Sequence, residues 1–231
     1  MRGLLWISIF AGLLVAGAGA TLIYLGNESQ GVIVESSGEF VEITGSGNLM
    51  FEARHPVSEE VTQETEKIQG ERAPDFTLPT ASGEEFHLNS ALEKGPVVLV
   101  ATMEDCPCTH ESQGFFNQLA LNYRDAQFVG VIDSEAPEAR NFKSDFAVPY
   151  PMALELQGTF FREYESPASV YVTVVNQQGE IVRRWAGYST DMLFELNSLL
   201  AELTGSEVMP FDSSRSPETL TTGCNFYVPA N

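Results

Sequence analysis

The feature that most restricts the fold is an uninterrupted apolar run, PVVLVATM, at residues 96–103. The run has the length of one strand, and its lack of polar alternation predicts a strand that is buried on both faces. A second run of this kind, QFVGVID, follows at 127–133. Strands covered on both faces occur where helices pack on either side of a sheet, so the sequence predicts an α/β domain.

The segments around these two runs complete the pattern. Residues 107–123 have apolar side chains at helical spacing, and 134–146 carry helix start and stop signals, with Ser134 as the expected cap. A short strand in YPMALEL, a hairpin on either side of NQQG, and a closing helix between Ser189 and Gly205 follow. Two short extended pieces around an SG turn in APDFTLPTASGEEFHL come first. This order predicts a central mixed sheet.

An uncharged apolar run, from Gly3 to Leu25, opens the chain after Arg2. At about 1.5 Å per helical residue it reaches across a hydrocarbon core of ~30 Å. Because Arg2 lies on the short side, we expect residues 1–27 to be a transmembrane signal anchor that places the rest outside the cytoplasm. The alternative is a signal peptide cleaved near Ala20, where small residues form a cleavage pattern. Both interpretations export the domain.

The remaining boundaries follow from charge and composition. Residues 28–71 hold ten acids against two basic residues and suggest an acidic extracytoplasmic tether, with a small β-hairpin in its first half. The α/β domain is expected at 72–205, and a Ser/Pro-rich tail packed on the surface at 206–231. The formal net charge of −20 excludes nucleic acid as an expected partner, because binding it needs a basic patch. The oligomeric state is left open, with a homodimer as one alternative.

The chemistry is expected in TMEDCPCTHES, residues 102–112, which holds two of the three cysteines. Pro107 suits the first position of a helix, which makes Cys106 the N-cap and puts Cys108 in the first turn. Unpaired N–H groups and the positive end of the helix dipole stabilise a thiolate at either cysteine. The third, Cys224, lies in the tail. An odd number of cysteines in an exported chain leaves at least one that is free, reactive or paired outside the chain, unless a metal takes it.

Four segments, in order, resemble the redoxin group of thioredoxin-fold proteins: APDFTL, GPVVLV before a cysteine, VIDSEAPEARNFKSDFAVPYPMALE and ESPASVYVTVVNQQGEIVRRWAG. This group includes the AhpC/TSA (alkyl hydroperoxide reductase/thiol-specific antioxidant) proteins and the membrane-tethered TlpA-like thiol-disulfide oxidoreductases. The resemblance spans Ala73 to about Thr204. It implies a thioredoxin-like three-layer sandwich and a cis-proline at Pro167, which would shape the groove and keep competing ligands off the thiolate.

The resemblance also implies partners and site residues. It implies no cofactor, and protein thiols, protein disulfides or a hydroperoxide as partners, with an electron donor that the sequence does not identify. Cys106, Cys108 and Pro167 are the expected catalytic residues. The supporting residues are then Pro107, Thr109, His110 and Glu111.

The chain departs from both patterns within the group. The TlpA-like pattern is Cys-x-x-Cys, one residue longer than Cys106-Pro107-Cys108. A disulfide between helical residues two apart would be strained and oxidising, and the bridge stays open as an alternative if Cys106 lies outside the helix. The AhpC/TSA pattern, a cysteine followed closely by a glutamate, matches Cys108 better. There, however, Asp105 occupies the position of a hydroxyl residue, and its carboxylate is expected to raise the thiol pKa.

Three hypotheses remain open at this point. The leading one is thiol-disulfide exchange, in which Cys106 or Cys108 attacks and the other cysteine, or Cys224, resolves the mixed disulfide. The second is an antioxidant thiol peroxidase. The third is a non-catalytic module that handles copper or zinc through Cys106, Cys108 and His110.

Overall fold

The computed structural model describes residues 32–36, 39–43 and 55–227. The chain divides into two compact units, Met1–Leu49 and Met50–Asn231. In the first unit, β1 (Val32–Ser36) and β2 (Glu39–Ile43) pair as an antiparallel hairpin, where a small hairpin was expected. The signal anchor and its alternative cleavage site lie outside the described residues. Among the residues that are described, no helix has the length and apolarity to cross a membrane.

Four short elements open the second unit. Helix α1 (Glu59–Glu66) begins at Ser58, whose hydroxyl accepts a hydrogen bond from the Val61 N–H at 3.3 Å. Strands β3 (Thr77–Pro79) and β4 (Glu85–His87) pair antiparallel around the expected SG turn. Helix α2 (Leu88–Leu92), which the sequence did not predict, follows β4 directly and buries three side chains.

A five-stranded mixed sheet forms the centre of this unit, as the two buried runs predict. Its strands are β5 (Val97–Thr102), β6 (Gln127–Ile132), β7 (Met152–Leu154), β8 (Val172–Val175) and β9 (Ile181–Trp185). Their order across the sheet is β7-β6-β5-β8-β9. The first three run parallel, and β8 is antiparallel to both β5 and β9. Every residue of the central strand β5 is buried.

Four more helices complete a three-layer α/β sandwich: α3 (Pro107–Asn122), α4 (Ala136–Asp145), α5 (Thr159–Glu163) and α6 (Thr190–Thr204). Helices α3, α4 and α6 cover one face of the sheet, with Phe116 and Leu196 in their shared core. Helices α2 and α5 cover the other face, with Leu88 and Phe160 in a second core.

The helix ends follow the sequence signals in part. The Ser189 hydroxyl caps α6 by accepting from the Met192 N–H at 3.2 Å, and Gly205 ends that helix at a left-handed φ of 66°. The expected cap of α4 was wrong, because Glu135 is the cap residue. The Ser134 hydroxyl instead donates to the Glu104 carboxylate at 2.9 Å.

The buried Arg184 joins residues 55–71 to the rest of the domain. Its guanidinium donates to the carbonyl oxygens of Thr65 at 3.0 Å, of Glu165 at 2.9 Å, and of Tyr164. Residues 55–71, expected as part of a tether, therefore pack against the domain, and Ile68 lies against its second core.

The C-terminal residues also return to the domain. We call residues 217–227 the C-terminal strap. Thr221 bridges to both Pro56 and Tyr188, and the ring of Phe226 stacks on that of Phe161 with centroids 3.8 Å apart. Phe226 is only 8% exposed. The expected surface tail is thus, in its last part, an integral piece of the domain, because its apolar side chain and its backbone groups find partners there.

Candidate active site

Cys106 lies where the sequence places it, between the buried strand β5 and helix α3. It is the N-cap of α3, with extended φ and ψ of −85° and 119°, and Pro107 occupies the first helical position. A cysteine at this point sits at the positive end of the helix dipole, at the carboxyl end of a parallel strand, where α/β sheets place their chemistry. Its side chain is fully buried.

Two hydrogen-bond donors converge on the Cys106 sulfur. The Ser169 hydroxyl donates to Sγ at 3.1 Å, and the backbone N–H of Cys224 donates at 3.1 Å. Hydrogen bonds from the Thr109 backbone and from the Cys224 side chain also lower the pKa of Cys106.

These donors decide the ionisation of the sulfur. Burial raises the pKa of Cys106, but the donors, led by the Ser169 hydroxyl, outweigh burial and lower the pKa to about 7. The pKa of the Cys224 thiol is raised in turn, by its interaction with the Cys106 side chain and by burial. Asp105, which was expected to raise the pKa of the Cys108 thiol, has an exposed side chain.

The strap reaches the sulfur by pairing with the segment before β8. The Ser169 N–H donates to the Cys224 carbonyl at 2.9 Å, and the Gly223 N–H donates to the Ser169 carbonyl at 3.0 Å. A Cβ at Gly223 would lie 1.9 Å from the Ser169 Oγ and 2.9 Å from the Cys106 Sγ. Only glycine therefore allows the backbone to approach the sulfur this closely.

Pro167 does not have the predicted cis peptide bond. No peptide bond among the described residues is cis, so the Ser166–Pro167 bond is trans and the cis-proline prediction was wrong. The chain turns here instead through residues with positive φ, Glu165 at 47° and Val170 at 65°. Pro167 is exposed, and its carbonyl accepts from the Phe226 N–H at 2.9 Å. Its contribution is one backbone contact to the strap.

Val170, the residue after Ser169, holds a strained backbone conformation with a φ of 65°. A positive φ is rare for a β-branched residue and costs on the order of 1–3 kcal/mol. Backbone bonds to β5 fix it: the Val170 N–H donates to the Ala101 carbonyl at 2.7 Å, and the Ala101 N–H donates to the Tyr171 carbonyl at 2.9 Å. This backbone conformation orients the preceding residue, Ser169, so that its hydroxyl donates to the Cys106 sulfur.

The other residues of the cysteine motif have separate surroundings. Cys108 is 1% exposed and belongs to the apolar core under α3. No disulfide joins it to Cys106. Thr109 is buried, and its hydroxyl has no hydrogen-bond partner. The His110 ring donates to the Glu104 carbonyl and stacks near Phe146. The Glu111 carboxylate accepts from the Tyr188 hydroxyl at 3.5 Å.

The surroundings of these side chains do not favour the alternative metal set. The Cys106 sulfur accepts hydrogen bonds from Ser169 and Cys224, and the His110 ring donates to the Glu104 carbonyl. Within residues 55–227, no cluster of three His, Cys, Asp or Glu side chains could hold a metal ion.

Acidic side chains gather at the ends of β5 and β6, next to the cysteine loop. Burial, together with the charges of Glu104 and Asp105, raises the pKa of Asp133 to about 6. A cavity of about 700 Å³ lies beside the first turns of α3, lined by His110, Glu111, Phe115, Tyr188, Arg215 and Thr221, among others. The Cys106 sulfur does not line it, so the chemistry is not in this cavity.

Sequence reasoning missed the two residues that complete the site, Ser169 and Gly223. Ser169 lies two residues after Pro167. A single serine in that segment has no sequence pattern that distinguishes it as a site residue. A glycine directly before the only tail cysteine was a usable signal, because glycine permits close backbone approach.

Comparisons with known proteins agree with this geometry. The sequence profile of the Redoxin family matches residues 68–203. A Coxiella burnetii protein provisionally named peroxiredoxin bcp is 27% identical over 97 residues, which are 41% of this chain and 64% of that protein. The chain therefore matches less than two thirds of that relative's length.

Two solved structures share the fold. Peroxidoxin BcpB of Mycobacterium tuberculosis has 22% identity and a TM-score of 0.51, and the match covers 60% of this chain and 97% of that one. A Chlorobium tepidum protein provisionally named thiol:disulfide interchange protein DsbE has 23% identity and a TM-score of 0.54, covering 58% and 97%. Both support a thioredoxin-like fold. With the profile match over more than half of the sequence, the chain belongs to the redoxin family.

Proposed function

We propose that this protein is a thiol-disulfide oxidoreductase in which Cys106 is the attacking cysteine. The observation that carries the proposal is the environment of the Cys106 sulfur: a buried thiol at a helix N-terminus, with hydroxyl and backbone donors each at 3.1 Å. With a pKa of about 7, a large share of this sulfur is thiolate near neutral pH, and the thiolate is the nucleophile in exchange.

The first step is attack of the Cys106 thiolate on one sulfur of a substrate disulfide. A bond forms between the two sulfurs, the substrate S–S bond breaks, and the released substrate thiolate takes up a proton from solvent. The Ser169 hydroxyl and the N–H groups at the start of α3 hold the negative charge before attack. The buried Cys108 is not needed for this step.

The same proposal includes location. The apolar run from Gly3 to Leu25 supports an extracytoplasmic domain anchored by an N-terminal helix, and cleavage near Ala20, the alternative, would export the same domain without the anchor. Disulfide exchange is the chemistry expected in such a compartment.

A thiol peroxidase is the second candidate, favoured by the provisional name of the Coxiella relative. In that reaction the Cys106 thiolate attacks a hydroperoxide oxygen, the O–O bond breaks, and the sulfur becomes sulfenic acid while the alcohol or water leaves. The buried Thr109 hydroxyl, which lacks a partner, is a donor that such a substrate could use.

Steady-state assays on the full chain in detergent separate the two candidates. Reduction of a protein disulfide and reduction of hydrogen peroxide are measured side by side, with a dithiol as electron donor. We expect disulfide reduction that Cys106→Ser abolishes and Cys108→Ala leaves in place. Disulfide turnover that survives Cys106→Ser would overturn the proposal, and turnover with peroxide alone would replace it with the second candidate.

A further inference from the structure

The C-terminal strap holds a second cysteine against the first. Cys224 is the residue whose own N–H bonds to the Cys106 sulfur, and the two thiols influence each other's ionisation. Its neighbours on both sides pair with the segment that carries Ser169, through Gly223 and through a bridge between Asn225 and Ala168. The Cys224 side chain is therefore presented to Cys106 by an ordered backbone.

The strap is fixed at both ends of this contact. Before it, the Thr190 N–H donates to the Pro217 carbonyl at 2.8 Å, and the Tyr188 N–H donates to the Thr221 carbonyl at 2.9 Å. After it, Phe226 is buried against Phe161. These anchors hold the tethered thiol at a high effective concentration beside the active sulfur.

A glycine makes this approach possible at a second point as well. A Cβ at Gly187 would lie 2.2 Å from the Thr221 carbonyl oxygen. With Gly223, two glycines thus remove the side chains that would otherwise keep the strap away from the domain. Two independent close approaches on one short segment indicate that its placement is built into the fold.

We infer that Cys224 is the resolving cysteine of Cys106, so that the chain's redox couple is a Cys106–Cys224 disulfide and not a bridge within Cys-Pro-Cys. This inference rests on the proposed function. After the first attack, Cys106 is joined to a substrate sulfur. The Cys224 thiol loses its proton to solvent, its sulfur attacks Cys106, and the mixed disulfide breaks to release the second substrate thiolate. The substrate gains two electrons, and the pair of cysteines loses two.

The alternative resolver, Cys108, is less well placed. It lies in the first turn of α3, with its side chain in the apolar core, whereas Cys106 is the N-cap and lies just outside the helix. The strap brings the Cys224 N–H to 3.1 Å from the Cys106 sulfur and so places the Cys224 thiol beside it.

The experiment follows oxidation of the reduced full chain by hydroxyethyl disulfide, with quenching by alkylation and peptide mapping by mass spectrometry. Wild type and Cys108→Ala should both form the bridge between residues 106 and 224. Cys224→Ala, the matched variant, should stop at a hydroxyethyl adduct on Cys106 whose lifetime is at least about tenfold longer, because the tethered thiol at millimolar effective concentration is gone.

A glycine pair supplies a second test. Gly223→Ala should slow the step in which Cys224 displaces the hydroxyethyl thiol from Cys106, because the added Cβ pushes the strap away from the sulfur. Gly114→Ala is the control, since nothing lies within 4 Å of its added Cβ. Melting temperatures of all variants show which of them remain folded.

The outcomes separate this inference from the proposed function. A 106–108 bridge in wild type with Cys224 still alkylated, or an adduct in Cys224→Ala that is released as fast as in wild type, overturns the resolving role and leaves Cys106 as the nucleophile. Failure of Cys106 to form any adduct while the protein still turns over overturns the proposed function itself.

Discussion

Replacing the hydroxyl of Ser169 should raise the pKa of Cys106 without touching the sulfur itself. A hydrogen bond to a charged group contributes about 1.5–3 kcal/mol, and a pKa unit corresponds to about 1.4 kcal/mol. Since sulfur accepts longer bonds, we take the lower end, about one unit. Ser169→Ala should therefore move the pKa of Cys106 from about 7 to about 8, so that at pH 7 the thiolate falls from about half to about a tenth of the population.

The rate of alkylation of Cys106 against pH measures this change. The thiolate of higher pKa is intrinsically more nucleophilic, by about threefold per unit at a Brønsted slope near 0.45. Ser169→Ala should thus react about twofold more slowly at pH 7 and about threefold faster above pH 9, so the two profiles cross. Mapping the alkylated peptide excludes reaction at the other cysteines.

Ser166→Ala is the matched control for this prediction. Ser166 is buried in the same segment, but its hydroxyl donates to the Tyr164 carbonyl at 3.1 Å and not to Cys106. It should leave the midpoint unchanged. A midpoint in Ser169→Ala within about 0.3 units of wild type, where a whole unit is expected, would refute the assignment of the low thiol pKa to this hydroxyl.

Two further predictions concern stability in urea denaturation. Asp133 has a folded-state pKa raised from 3.8 to about 6, so its charge destabilises the fold at pH 8. The penalty falls as the pH drops through the folded-state pKa, and it disappears only below about pH 3, where the unfolded carboxyl is protonated as well. Asp133→Asn should raise the free energy of unfolding at pH 8 by about 1–2 kcal/mol after solvent screening, with no gain at about pH 3 and none in the exposed control Asp125→Asn. Arg184→Met should lower the free energy of unfolding by about 3 kcal/mol, since it leaves buried carbonyl oxygens without a donor. Arg183→Met, which removes a partly exposed ion-pair partner, should cost about 1 kcal/mol or less, and equal losses would contradict the role given to Arg184.

The sheet was predictable because the amino-acid composition of each short segment indicates a buried strand. Continuous apolar runs require burial on both faces, and this fixed both β5 and β6 within a residue or two of their observed bounds. The capped ends of α6 were predictable for a similar reason, since Ser189 and Gly205 act on neighbouring backbone groups. The short helices α2 and α5, of five residues each, have too few turns to display a helical period.

The site was predictable only where its residues are neighbours in the sequence. Cys106 at the start of α3 follows from a buried strand, a cysteine and a proline in sequence. Ser169 and Gly223 reach the sulfur from 63 and 117 residues further along the chain, and the hydrogen bond from Ser169 spans that first separation. No pattern within one segment encodes such a meeting. The error at Pro167 has the same origin. The prediction of a cis-proline rested on local sequence, whereas the turn is made by residues with positive φ, including Val170, which no local pattern indicates.

Activation and access are coupled at this sulfur, because one segment controls both. The strap provides one of the two N–H and O–H donors at 3.1 Å, yet it also buries the sulfur completely. A small disulfide that enters only when the strap lifts meets a thiolate that has lost the Cys224 N–H. The position of the strap therefore sets both the ionisation of the Cys106 sulfur and the access of a disulfide to it, because the hydrogen bond from the Cys224 N–H and the burial of the sulfur come from the same segment.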